Sequence, residues 1–388
     1  MNMRIGVIKE FEAENRVSIV PSSVKKLSKI GYEVYVETEA GISSNHSDQE
    51  YEEFGAIVTD RQQVSQSEII SSINFPAEEL LREGQILICN ADPFRHPSRV
   101  RSCNDKKITL ISMDMIPRRL SRAQSMDVNS SQDNLAGYKS VLLGASLVSK
   151  GIPMMTTSAG TVRPAKVVVM GSGVAGLQAI ATAKRLGAVV FASDVRITAA
   201  EQIESVGGRF IVVEGMEDFE DESGYAKPLT PDFITKVNET VCNVAADADL
   251  VITTARIFGR PAPVTIPADA VKKFKTGCVI VDMNADVGGN CELTVRDETI
   301  TTDNGVVIVG KTNLPGTIPT TASMLFSNNI TSFLSSLMTE EGFDLSESDD
   351  ILVGAPADSD FHVQGMGGVL LCRGGSVHEN QAKLSEVI

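Results

Sequence analysis

The sequence predicts an α/β protein of two doubly wound domains, the first of them discontinuous. Three observations carry that expectation. Short β-rich runs alternate with helical periodicities along most of the 388 residues, the pattern of parallel sheets covered by helices. A stretch rich in Gly, Pro, Ser and Thr, Gly151 to Pro164, separates two such regions and reads as a connection. An amphipathic helix, Thr321 to Met338, follows the last strand and is expected to return to the first domain. The boundaries implied are 1–130 with 320–345 for the first domain, 131–164 for a connecting helix and linker, and 165–319 for the second domain. Residues 346–388 form a tail expected to be partly ordered at best.

The elements follow in order. Arg4-Ile-Gly-Val-Ile-Lys9 is the first strand. Pro21 opens a helix in which Val24, Leu27 and Ile30 share a face, Gly31 stops it, and Glu33–Glu37 is the next strand. A second cycle runs through a helix at Glu50–Phe54 and strands at Gln85–Cys89 and Ile108–Ser112, with no glycine fingerprint in this half. Ser131 to Ser149 reads as a long helix with Leu135, Tyr138, Leu142 and Ala145 on one face. From Lys166 the alternation sharpens, with strands at Val167–Met170, Val189–Ala192, Phe210–Val213, Leu250–Thr254, Val279–Asp282 and Val306–Val309.

Composition excludes several classes. Hydrophobic residues are 42% and charged residues 22%, ordinary for a folded globular chain. Fifty acidic against thirty-five basic residues give a net charge of −15, which argues against broad contact with a nucleic-acid backbone. A small anion can still be held by backbone N–H groups. No apolar run approaches the roughly 20 residues needed to span a bilayer, and Met1–Lys9 lacks a signal-peptide stretch. Six cysteines and four histidines are scattered without CxxC or HExxH spacing. Reduced thiols and no metal site are therefore expected.

The sharpest chemical signal is Val167-Val-Val-Met-Gly171-Ser-Gly173-Val-Ala-Gly176. A GxGxxG alone is weak, but this one follows a strand and opens a helix, Leu177 to Leu186, that ends at Gly187. Gly171 permits the tight turn, Gly173 lets a pyrophosphate approach the backbone, and Gly176 brings helix against strand. The helix N-terminus then meets the phosphates with its positive dipole end. The domain is therefore expected to be Rossmann-like, and the plain alternative is a glycine-rich turn without a ligand. The next strand ends at Asp194, where a carboxylate would bind adenosine ribose hydroxyls and repel a 2′-phosphate, favouring NAD. Arg196, two residues on, leaves an NADP reading open.

A second polar segment, Ile116 to Ser130, lies between a strand of the first domain and the long helix. It gathers Arg, Gln, Asp and Ser and is expected to border the cleft between the domains. Its plain reading is a polar loop in which Ser130 or Ser131 caps the helix.

Arg122-Ala-Gln-Ser-Met-Asp127, Ser130-Ser-Gln132 and Ala136-Gly-Tyr138 resemble the signature loop of the NAD(H)-binding domain of proton-translocating nicotinamide nucleotide transhydrogenase. This belongs to the alanine dehydrogenase/transhydrogenase family. Ala179–Ala188, Gly259–Pro263, Gly288–Glu292 and Thr312–Pro315 add to the resemblance, which runs from Arg4 to about Met338. It is to the separate α1-type subunit, since membrane helices and an NADP-binding domain are missing from this sequence. The resemblance implies direct hydride exchange between NAD(H) bound here and NADP(H) bound on a partner subunit. Membrane-spanning partner subunits would couple the exchange to proton movement, placing this chain at the cytoplasmic face of the membrane as a homodimer. It further implies that Arg119, Gln124, Asp127 and Ser130 orient the nicotinamide and its ribose. Val174, Asp194, Val195 and Arg196 would hold the adenosine half. Gly224 and Tyr225 would belong to a mobile loop that folds over the nucleotide, and Arg256, standing where the family usually has Leu near the nucleotide, would either strengthen phosphate or adenine contacts or fill the pocket. Val237, Arg256, Asn284-Ala-Asp286 and Gly316-Thr317 depart from the family pattern.

Two other readings remain open at this point. An alanine dehydrogenase-like enzyme would need a Lys and a His to polarise and protonate a keto acid. The corresponding stretches read Ser72-Ile-Asn74-Phe-Pro76 and Cys89-Asn90-Ala91, which hold neither. A regulatory subunit that binds nucleotide without moving hydride is the other, motivated by the departures at Val237, Arg256 and Asn284.

Overall fold

A computed structural model describes residues 3–377 apart from 12, 119, 217–229, 258, 340–341, 346–348, 354–368 and 374–375. Its contacts separate two units, Met1–Gln132 with Gly316–Ile388 and Asp133–Pro315, so the first is discontinuous.

The first unit begins β1 (Met3–Val7), α1 (Pro21–Lys29), β2 (Tyr32–Glu37), α2 (Asp48–Glu53), β3 (Ile57–Thr59), α3 (Arg61–Val64) and β4 (Ile69–Asn74). It continues with β5 (Ile86–Asn90), α4 (Pro97–Asp105) and β6 (Thr109–Ser112). The unit boundary falls inside α5 (Val128–Leu147). The second unit holds β7 (Met155–Thr157), β8 (Gly160–Val162), β9 (Lys166–Met170), α6 (Val174–Arg185), β10 (Val189–Ser193), α7 (Ala199–Ser205) and β11 (Arg209–Phe210). Then come α8 (Pro231–Ala245), β12 (Leu250–Thr253), α9 (Ala268–Val271), β13 (Val279–Asp282), β14 (Thr299–Thr301) and β15 (Val307–Val309). The chain returns to the first unit with α10 (Pro319–Ser336), β16 (Met338–Thr339), β17 (Gly342–Phe343), α11 (Asp350–Val353), β18 (Leu370–Arg373) and β19 (Ser376–Val377).

Proline begins α1, α4, α8 and α10, where its fixed φ suits the first turn and its missing N–H costs nothing. Gly31 ends α1 as expected, with φ +101°.

The first sheet has the order β19-β18-β6-β5-β4-β1-β2-β3. It is parallel from β6 to β3, with β18 antiparallel to β6 at the other side. The chain winds outward in both directions from the β1–β4 pair, registered Ile5↔Ile69 and Val7↔Ser71. The central strand β4 was not among the predicted elements. Its run Ile69-Ile-Ser-Ser-Ile-Asn74 breaks apolar periodicity with two serines, but both are buried and satisfied. Ser71 Oγ donates to Ser18 Oγ (3.0 Å) and Ser72 Oγ to the Asn74 carbonyl (2.7 Å).

Helix α10 packs into this unit through hydroxyls as well as apolar faces. Ser323 Oγ accepts from Val17 N and Ser327 Oγ from Val20 N, each at 3.0 Å, while Tyr32 donates to the Leu334 carbonyl at 3.0 Å. Phe326, Ile330, Phe333 and Leu334 fill the core beside Val24, Leu27 and Val34. The tail contributes β18, whose Leu370, Leu371 and Cys372 are buried, and Ile351 and Leu352, each 1% exposed.

The second sheet has the order β11-β10-β9-β12-β13-β15-β14, parallel except for β14. Both faces are covered, so alternate residues of one strand enter different cores. Val168, Met170, Val251 and Ile280 belong to one cluster with Val241 and Ala245 of α8. Val167, Val169, Ile252 and Val281 belong to the other with Ala179 and Ala183 of α6. The strand expected over Phe210–Val213 is shorter: β11 pairs with β10 only at Arg209 and Phe210, after which Ile211 and Val213 turn into the core. The segment read as a linker contains the β7–β8 hairpin, whose residues are all exposed.

All six cysteines are free and buried. Burial pushes the thiols of Cys103 and Cys278 up to about 12 and those of Cys242, Cys291 and Cys372 to about 11.

Candidate functional site

In the second unit the chain leaves β9 through Gly171-Ser172-Gly173 and enters α6. From β9 it winds to β10 and β11 on one side and resumes with β12 on the other. The C-terminal end of β9 is therefore the point where strand order reverses, the usual ligand crevice of a doubly wound sheet. Each fingerprint glycine has a distinct reason. Gly171 has φ +100°, and a Cβ there would lie 2.6 Å from Thr254 Oγ1. A Cβ at Gly176 would lie 2.0 Å from the Gly171 carbonyl oxygen, so helix and turn touch backbone to backbone. A Cβ at Gly173 would meet nothing within 4 Å; that position is open. No side chain caps α6, so its first-turn N–H groups have no side-chain acceptor. Val174 beside them is exposed. Thr254, which sequence reasoning missed, ties β12 to the turn by donating to the Gly171 carbonyl at 3.0 Å.

Asp194 follows β10 and reaches the turn. Its Oδ2 accepts from Ser172 N (3.0 Å) and Ser172 Oγ (2.6 Å). Its Oδ1 accepts from Arg196 N (3.0 Å) and Arg196 Nε (2.9 Å), and Arg196 Nη2 donates to Oδ2 at 3.1 Å. Burial alone would raise this carboxyl, but Arg196 and Ser172 outweigh it and hold the group below the usual carboxylate range. Five donors on a carboxylate with about four lone-pair sites leave no spare acceptor. Arg196 thus neutralises Asp194 here, and Val195 between them is half-buried.

Arg256 is exposed after β12 and faces Asp286 at 3.7 Å. Behind it, Asn284 Nδ2 and Asn290 Nδ2 both donate to the Ala255 carbonyl, at 3.0 and 2.8 Å. Asp282 accepts from Asn284 N, Cys291 N and Thr294 Oγ1 at 2.7–3.0 Å. Asn284 therefore sits in an internally satisfied loop after β13, Arg256 lies on the separate loop after β12, and Val237 is buried on α8.

In the first unit the polar segment forms a six-residue 3₁₀ run, Ser121–Met126, leading into α5. Asp127, not Ser130 or Ser131, caps α5. Its Oδ1 accepts from Ser130 N (2.9 Å) and its Oδ2 from Ser130 Oγ (2.5 Å), with Arg118 Nε at 3.2 Å. Gln124 is exposed, and its side chain has no hydrogen-bond partner among the described residues. Sequence reasoning missed the groups that hold this loop: Asn329 from α10, and Asp349 and Asp350, which pair with Arg122. Their separation along the chain leaves no local signal. Arg119, Gly224 and Tyr225 lie outside the described residues.

Among the described residues no group of side chains could hold a metal ion. No described helix is long and apolar enough to cross a membrane.

Residues 6–136 match the N-terminal domain, and residues 140–359 the C-terminal domain, of the alanine dehydrogenase/PNT family. An NAD(P) transhydrogenase subunit alpha chain of Rhodospirillum rubrum is 45% identical over 345 residues, covering 86% of this chain and 89% of that one. A transhydrogenase structure from Sinorhizobium meliloti superposes with a TM-score of 0.84 at 37% identity, covering 96% of this chain and 99% of that one. Alanine dehydrogenase of Bacillus subtilis is more distant, 29% identical over 84% of this chain and 83% of its own. The chain belongs to the alanine dehydrogenase/PNT family, and within it to the NAD(P) transhydrogenase alpha subunits.

Proposed function

We propose that this chain is the NAD(H)-binding catalytic subunit of a proton-translocating transhydrogenase, exchanging hydride with NADP(H) held on a partner subunit. The observation that carries the reading is the turn at the end of β9. An open glycine, an uncapped helix and a buried ionised Asp194 meet at the strand-order reversal. These residues fit a dinucleotide: Gly173 leaves room for a pyrophosphate, and the first N–H groups of α6 suit its charge. Asp194 would meet the adenosine ribose once Arg196 swings aside, and Val174 and Val195 would flank the adenosine. Arg256 would add charge near the phosphates, with Gly224 and Tyr225 closing over them.

When bound, the nicotinamide supplies the hydride. The protein's part is orientation and exclusion of water, which needs no general acid or base. Gln124 is the group left free to contact the ring, while Asp127 and Ser130 fix the loop's exit into α5; Arg119 would share the orienting role. Partners that span the membrane would carry the proton path and hold this chain at the cytoplasmic face. The exposed hairpin β7–β8, with Met155 42% exposed and Met154 just before it 66% exposed, supports a homodimer, because an isolated two-stranded hairpin has little stability of its own.

Mixing the chain with an NADP(H)-loaded transhydrogenase partner domain and following NADH-dependent reduction of an NAD analogue tests the reading. Reduction that needs both proteins supports it. NADH binding without any transfer at saturating partner refutes the catalytic role and leaves a regulatory subunit.

A further inference from the structure

Arg122 lies two residues before Gln124 and is held from far along the chain. Its Nη2 donates to Asp349 Oδ1 at 2.6 Å and also to Asp350 Oδ1, and its Nη1 donates to Asp349 Oδ2 at 3.2 Å. Those carboxylates do not sit on a loose end. Ile351 and Leu352 are 1% exposed in the first unit's core, and Val369 N donates to the Ile351 carbonyl at 3.0 Å. Asp349 Oδ1 also accepts from Ile351 N at 2.8 Å, capping the short α11. On the other side of Gln124, the Ser125 carbonyl accepts from Asn329 Nδ2 at 2.8 Å, and Asn329 Oδ1 accepts from Ser131 Oγ at 2.8 Å.

The segment so held is a 3₁₀ run of six residues, Ser121–Met126. Such runs rarely exceed three or four residues because their hydrogen bonds are poorly aligned, so this one depends on outside support. The support falls on both flanks of Gln124, whose own side chain is left exposed. Tethering the C-terminal segment does not require the ion pairs, since Ile351, Leu352 and Leu370 already anchor it. Half-exposed pairs of this kind add little to global stability. Their effect is on where the loop sits.

We propose that Asp349 and Asp350 are positioning residues that act through Arg122 to fix Gln124, so that the C-terminal segment sets the geometry of the loop that orients the nicotinamide. This rests on the functional reading above. Displacements of about 1 Å in a positioning group can cost about a hundredfold in rate, so a change far from the reacting atoms would be felt.

The test uses the full chain with Asp349→Asn and Asp350→Asn combined. Hydride transfer is measured at saturating nucleotide and partner, and NADH affinity separately. The expected result is a fall in transfer rate of about tenfold or more, with NADH affinity within about twofold of the parent. Asp349→Glu combined with Asp350→Glu should keep most of the parent rate. Arg122→Gln should slow transfer alike, with no further loss when combined with the two Asp→Asn changes. Amide exchange over 121–126 should quicken in the doubly changed chain while exchange over β1 and β4 stays slow. Parent-level transfer in that chain, alongside slowed transfer in Gln124→Ala, overturns the positioning role and leaves the functional reading intact. Unchanged exchange over 121–126 overturns it independently of any activity. If the unmodified chain moves no hydride, the functional reading fails and this inference with it.

Discussion

Glu10 follows β1 at the strand-order reversal of the first sheet, and its carboxyl is buried. Oε1 accepts from Ile73 N at 2.5 Å and Oε2 from Asn74 N at 3.3 Å. Burial outweighs these two donors, and with Glu14 nearby the group rises to about 8 from the 4.5 of an exposed glutamate. The folded state therefore binds this proton more tightly than the unfolded chain. Its stabilising contribution is complete below pH 4.5 and is lost as pH rises through about 8. Between pH 5 and pH 8 that single group should remove about 3.5 kcal/mol of folding free energy. Glu10→Gln cannot ionise and should delete this share of the pH dependence. It forfeits the longer bond from Asn74, at about 1 kcal/mol. The variant should thus be slightly less stable than the parent at pH 5 and more stable at pH 8.5. Asp114, buried and raised to about 6, acts with the same sign and will leave some slope behind. Urea midpoints at pH 5, 7 and 8.5 for both proteins, followed by a first-unit probe such as exchange at Ile73, measure the difference. Identical pH slopes for parent and variant would refute the argument, as would a parent that gains stability above pH 7.

The fingerprint glycines should separate folding from binding. Gly176→Ala forces a Cβ to within 2.0 Å of the Gly171 carbonyl and should destabilise the second unit by about 1–3 kcal/mol, read by thermal denaturation. Gly173→Ala meets only open space, so it should leave that melting point unchanged while weakening NADH binding in fluorescence titration. Asp194→Ala should weaken NADH binding and relax discrimination against NADPH; unchanged affinity for both would place the nucleotide elsewhere. Gln124→Ala should slow hydride transfer more than it weakens binding, whereas Asp127→Ala should also cost about 1 kcal/mol of stability because it uncaps α5. Met154→Lys with Met155→Lys should lower the mass measured by light scattering at micromolar concentration; an unchanged mass would separate the hairpin from self-association.

What the sequence made legible follows from where the information lies. Unbroken runs of β-branched residues in β9, β12 and β13 exposed the second sheet, because burial on both faces selects such continuous apolar strands. The turn at Gly171 was equally plain, since Gly171 and Gly176 answer local steric demands and Gly173 completes the fingerprint spacing between them. Strand β4 was hidden by Ser71 and Ser72, whose burial is permitted by distant Ser18 for the first and by the Asn74 carbonyl at the end of the same strand for the second. Edge strands of two or three residues, such as β11 and β14, carry too little pattern to stand out. In the candidate site, Asp194 was legible as a carboxylate after a strand, but its occupation by Arg196 and Ser172 was not. The clamp on Arg122 joins residues 227 apart, a pairing that no local periodicity records.

The six buried thiols offer a clock that the chain carries without engineering. Alkylation needs a thiolate in contact with water, and burial denies both, so each cysteine reacts only when its surroundings open. Cys89, Cys103 and Cys372 belong to the first unit and Cys242, Cys278 and Cys291 to the second. Mass-resolved labelling would therefore time the opening of each unit separately. Cys372, on the strand added by the C-terminal segment, would report how often that segment peels away from its neighbour β6.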